Sequence, residues 1–151
     1  MSHVTKIDVE LKDLEALNVA CQELGLELRL HQTTYKWFGS YVGDSSLPAG
    51  FTKKELGHCE HAIVVKGAGT STYEIGLVTR RDGKPGFTLL KDDWQGGYGL
   101  LEKIGGKTAE KLLGEYKIQA ALRLARKHGF TAVRSYNALT RKPQGVAKQR
   151  V

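Results

Sequence analysis

Hydrophobic and polar positions alternate at the start of the chain. Val4, Ile7, Val9 and Leu11 stand among polar neighbours, and the β-branched residues at 4, 7 and 9 favour an extended backbone, predicting a strand over about 3–11. Asp13 then stands as an N-cap, Leu14, Leu17, Cys21 and Leu24 recur at three- and four-residue spacing, and Gly25 offers a left-handed stop, predicting an amphipathic helix over 13–24. Leu26, Leu28 and Leu30 alternate with Glu27, Arg29 and His31 as in a half-buried strand. A loop-like stretch rich in Gly, Ser, Asp and Pro follows from Gly39 to Gly57. Beyond it come three strand patterns, His61–Lys66, Thr72–Thr79 and Phe87–Leu90, the last after the turn signal Asp82-Gly83-Lys84-Pro85-Gly86. A glycine-rich connection over 92–106 leads to a long helical pattern from Thr108 to His128. In it Leu112, Leu113, Tyr116, Ala120 and Leu124 recur as an apolar stripe and Gly129 supplies the end. Phe130–Tyr136 alternates as a final strand.

This order predicts an α+β domain: a mostly antiparallel sheet of about six strands with two helices packed on one face, around a ferredoxin-like core. A single domain over 1–140 is expected, followed by a basic C-terminal tail over 141–151. The chain of 151 residues is long enough to bury a core without staples. No run reaches the roughly 18 apolar residues of a membrane span, and the first residues lack the apolar stretch of a secretory leader, so a cytoplasmic, non-membrane protein is expected. Cys21 and Cys59 show no paired spacing, which argues against a disulfide framework or a Cys-based zinc module.

Charge alters the picture, because it is segregated. Residues 1–106 carry 12 Lys+Arg against 14 Asp+Glu, a net of −2, whereas residues 107–151 carry 11 against 2, a net of +9. A basic terminal third on a near-neutral body points to an anionic partner, nucleic acid or ribosome, or to an acidic protein surface. The residues expected to make that contact are Lys117, Arg123, Arg126, Lys127, Arg134, Arg141 and Lys142, with Tyr116 and Tyr136 near enough in sequence to stack on bases.

Three other constellations carry chemistry on paper. His58-Cys59-Glu60-His61 is the densest group of metal-ligand types; His58, Cys59 and His61, completed from afar by His3, His31 or His128, form a candidate soft-metal set, against the plainer reading of a strand entry with one buried thiol. Gly67-Ala68-Gly69-Thr70-Ser71-Thr72 lacks the ending of a phosphate loop and precedes a strand, so a hairpin turn is the better reading. Leu101 to Thr108 ends in Gly-Lys-Thr but has Leu101 where the first glycine of that loop belongs. Adjacent Asp92 and Asp93 would point to opposite faces of a strand, which makes a turn or cap their expected role. No nucleophile elbow or serine triad is legible, no catalytic residue is assigned and no cofactor is expected.

The entry through Met1-Ser2-His3 into a strand, the helix Leu14–Leu24, Trp37-Phe38-Gly39, Cys59-Glu60-His61-Ala62-Ile63, Tyr73-Glu74-Ile75-Gly76 and the helix from Glu115-Tyr116-Lys117 to Gly129 together carry a family likeness. The sequence resembles the family called domain of unknown function 1257, which includes the conserved plastid hypothetical reading frame 35 and relatives in cyanobacteria, other bacteria and phages. The resemblance runs from Met1 to about Tyr136. It implies no catalytic residue. Genes of that family often lie beside a small companion domain, a ferredoxin-type protein and AAA-type ATPases, which implies a place in an assembly or maintenance complex. Members commonly end in a hairpin of strands, from which Asn137 to Pro143 depart here. The expectation is therefore a small non-catalytic binding module within a larger assembly. The alternatives are a nucleic-acid or ribosome binder using the basic third, and a metal-binding protein using His58, Cys59 and His61.

Overall fold

A computed structural model describes residues 2–43, 45–136 and 143–149, with the backbone alone for 133–136 and 143–149. The elements in chain order are β1 (Val4–Val9), α1 (Leu14–Glu23), β2 (Leu26–Leu30), β3 (His61–Val65), β4 (Ile75–Thr79), β5 (Phe87–Asp92), α2 (Leu100–Ile104), α3 (Glu110–Lys127), β6 (Phe130–Tyr136) and β7 (Pro143–Gln149). Five strands form one antiparallel sheet in the order β1-β5-β4-β3-β2, and β6 pairs with β7 in a separate ribbon. The class is α+β.

The ferredoxin-like order expected for the core does not form. That arrangement places the first strand inside the sheet, whereas here β2 to β5 run as a meander and β1 joins its far end. β1 and β2 occupy opposite edges, and α1, which connects them, spans the sheet between. The segment over 141–151, expected as a tail, contains β7, and Phe130 to Tyr136 pair along their length with Gln149 to Pro143.

Local chemistry explains the boundaries. Asp13 caps α1 by accepting a hydrogen bond from the Ala16 amide at 3.0 Å, and the chain leaves the helix through Gly25. One face of the sheet (Ile7, Leu28, Ile63, Ile75, Leu77 and Leu89) meets Leu17 and Cys21 of α1, Leu100 and Ile104 of α2, and Leu112 and Tyr116 of α3. The other face is covered by the long 31–60 segment, whose Tyr35 and Phe51 pack on Leu90. Gly76 permits that cover: a Cβ there would lie 2.3 Å from the Tyr35 ring.

Asp92 and Asp93 close the end of β5 as their alternation predicts. Asp92, fully buried, accepts backbone N–H groups from His3 and Trp94 on one oxygen and from Phe38 on the other, at 2.9–3.0 Å, tying together three segments. Asp93 turns to the opposite side, where it accepts from the buried Lys91 ammonium at 2.6 Å and from the Thr5 hydroxyl at 2.9 Å. Residues Gln95 to Tyr98 then all take left-handed backbone angles, φ between 51° and 63°, before α2 begins.

Candidate interaction surface

α3 carries the described part of the basic third. Its buried side is Leu112, Glu115, Tyr116, Gln119 and Leu122, positions that recur at three and four residues and therefore share one helix face. α3 lies against α1 on one side and against the β6–β7 ribbon on the other.

Two of the cations expected to meet an anion are engaged inside the molecule. Arg123 donates to Asp13 at 2.8 Å and to Glu15 at 2.6 Å, binding the start of α1 to α3. The Asp13 carboxyl is held below its ordinary range: burial works against this, but the Ala16 amide and the Arg123 guanidinium outweigh it. Arg126 donates through Nε and Nη2 to the Ala132 carbonyl at 3.1 and 2.7 Å, clamping the end of α3 onto β6. Tyr116, expected as a stacking platform, is 7% exposed, and its hydroxyl accepts the backbone N–H groups of Lys12 and Asp13, both at 3.1 Å. Lys117 and Lys127 are exposed, as are Lys107 and Lys111. Arg134 lies in β6, where the backbone alone is described, and Arg141 and Lys142 lie outside the described residues, while Tyr136 is described by its backbone only.

The candidate metal set is not drawn together. His3 stacks on Trp94 at the entry to β1, with ring centroids 5.5 Å apart, while His61 starts β3, three strands across the sheet. His61 Nδ1 accepts the His31 N–H at 2.9 Å, and its ring meets those of His31 and Phe87 edge-on. Burial, with the His31 charge beside it, keeps the His61 pKa below the usual imidazole value. The Cys59 thiol donates to the Gln32 carbonyl at 3.2 Å, and burial pushes its pKa up to about 11, which keeps it a thiol at neutral pH. His58 stands exposed where Thr34 bridges to it. Among the described residues no three His, Cys, Asp or Glu side chains form a metal-binding group.

The hydrophobic pattern of the sequence pointed inward, and the outward face of α3 was missed. Glu110, Gly114, Lys117, Ala121, Leu124 and His128 follow one another at alternating four- and three-residue steps along the side opposite the buried one. Leu124, expected in the buried stripe, is 58% exposed. Phe130, just past the helix end, is 37% exposed. The alternating spacing was legible in the sequence. What hid it is that Leu124 sits between the two faces when the apolar stripe is drawn too wide.

No family model, curated protein or solved structure matches this chain. The physical reading of the surface therefore stands on its own residues. Among the described residues no helix is long and apolar enough to cross a membrane.

Proposed function

We propose that this chain is a non-catalytic assembly module that docks a protein surface through the outward face of α3. The observation that carries the reading is the exposed Leu124, set in a coiled-coil-like row with Ala121 and Gly114 and ringed by Lys117 and Lys127. An apolar centre with a polar, charged rim is the layout of a docking site. Genes of the family that the sequence resembles, domain of unknown function 1257, often lie beside those of AAA-type ATPases and a small companion domain, which accords with a module of this kind. Arg123 and Arg126 already hold partners inside the fold and Tyr116 is buried, which leaves Lys117 and Lys127 as the unengaged cations of the expected set on α3.

The test is a tagged pulldown from native cells, split with and without nuclease, comparing wild type with Leu124→Glu. A defined protein that survives nuclease and is reduced about tenfold or more by Leu124→Glu, at unchanged melting temperature, is the expected result. Recovery of nucleic acid alone, equal for both chains, overturns it.

The net charge of +9 over 107–151 favours a second reading, contact with nucleic acid or ribosome through Lys117, Lys127 and the cations of the C-terminal segment. Its signature is binding that falls steeply with salt and with Lys117→Glu plus Lys127→Glu.

A further inference from the structure

We infer that the outward face of α3 pairs with the same face of a second copy of this chain, in an antiparallel, two-fold arrangement. This rests on the reading of that face as a docking surface and names its occupant. The argument begins at Gly114. Glycine is among the poorest helix formers, yet it stands at the fifth position of an 18-residue helix, past its first turn, and a Cβ built there meets nothing within 4 Å. Packing within the chain therefore gives no reason for it. Open space above a helical glycine is room for a side chain from outside, and Leu124, 58% exposed, is an apolar side chain without a pocket of its own.

Leu124 and Gly114 lie on one row, so an antiparallel second copy sets each leucine over the other copy's glycine. The same alignment places Lys117 against Ala121 and Glu110 against His128, so the layers are knob against hole, cation against small residue and acid against imidazole. Along one flank Ile118 meets its own equivalent and Lys111 meets Ala125. An unrelated helix need not match at six positions, whereas this row is complementary to itself under a two-fold, as an isologous interface requires. One helix of about 27 Å against another makes a small interface, so the dimer is weak and concentration-dependent. The net charge of +7 per chain makes the copies repel at long range, so added salt strengthens the pair, opposite to the effect on polyanion binding.

The test is sedimentation equilibrium of the full chain from about 10 to about 500 µM, at about 50 and 500 mM salt. The expected result is a monomer–dimer equilibrium that shifts toward dimer with concentration and salt. Gly114→Leu fills the hole and weakens the dimer at least tenfold without loss of helix content by circular dichroism. Adding Leu124→Ala to that variant reopens the hole on the opposite side and restores the dimer. A monomer throughout the range, a dimer indifferent to Gly114→Leu, or association that salt dissolves overturns the inference. If the chain is monomeric while Leu124→Glu still releases a protein from the pulldown, self-pairing falls and the docking reading stands. If Leu124→Glu changes neither, both fall.

Discussion

The buried carboxylate of Asp92 ties together three segments that no strand pairing joins. It takes three backbone N–H groups from the segments at residues 3, 38 and 94, none of which belongs to a regular ladder. An asparagine has the same shape but can accept on one side only, so Asp92→Asn turns an amide donor toward the Phe38 N–H. A buried donor left without an acceptor costs about 1–3 kcal/mol, and loss of the charge-assisted bonds adds to it. Asp92→Asn is therefore expected to lower the urea midpoint strongly with an unchanged slope; a midpoint within error of wild type would contradict this role. The sequence made the opposite aim of Asp92 and Asp93 legible through strand alternation. It did not reveal their partners, because His3 and Phe38 lie far away along the chain and are brought in only by the finished sheet.

Regular elements were the most legible part of the chain wherever a capping residue and a sustained period agreed. α1 begins after Asp13 and ends before Gly25, and β1, β2 and α3 fall within the spans that their patterns predict. α2 was hidden because its five residues sit between glycines and read as linker. β7 was hidden because Pro143, Gly145 and Lys148 dilute its alternation, leaving Val146 and Ala147 as the apolar positions of a seven-residue strand. The basic surface was legible as composition and not as geometry: nothing local announces that Arg123 reaches Asp13 and Glu15, 110 and 108 residues away. That contact changes what mutations at this helix mean. Arg123→Glu gathers three carboxylates at the α1–α3 junction and lowers the melting temperature, while Lys117→Glu on the exposed face leaves it within about 1 °C. Differential scanning calorimetry of the two variants decides the point, and equal melting temperatures would remove Arg123 from the junction.

At the scale of the whole molecule, the shifted carboxylates and His61 act in one direction on the acid side. Asp8, Asp13, Glu55 and Asp82 all titrate below their ordinary values in the folded chain, Glu55 and Asp82 at about 2, through the Arg81 and Arg80 partners respectively. His61 is depressed as well, by burial and by His31. In each case the unfolded chain binds the proton more readily, so stability is full above the unfolded value and is lost as pH falls through the folded one. Two losses are expected: one just below pH 6.5 from His61 and a second below about 4.5 from the carboxylates. Urea midpoints measured at intervals from pH 8 to 3 follow both, and His61→Gln removes the upper one; a flat profile between about pH 7 and 5 in the wild type would contradict it.

The placement of β1 also constrains when the molecule can come into existence. Its neighbour in the sheet is β5, with Val4 opposite Asp92, so β1 finds its place only after β2, β3 and β4 have been made. Loop-closure entropy must be met across 78 residues, from Val9 to Phe87, before that pairing returns anything. A nascent chain halted ahead of Phe87 has α1 and β2 in hand and β1 with nothing to bind. Completion of the sheet is thereby gated by the arrival of β5, and until then β1 is an unpaired strand whose backbone donors and acceptors are open to other chains.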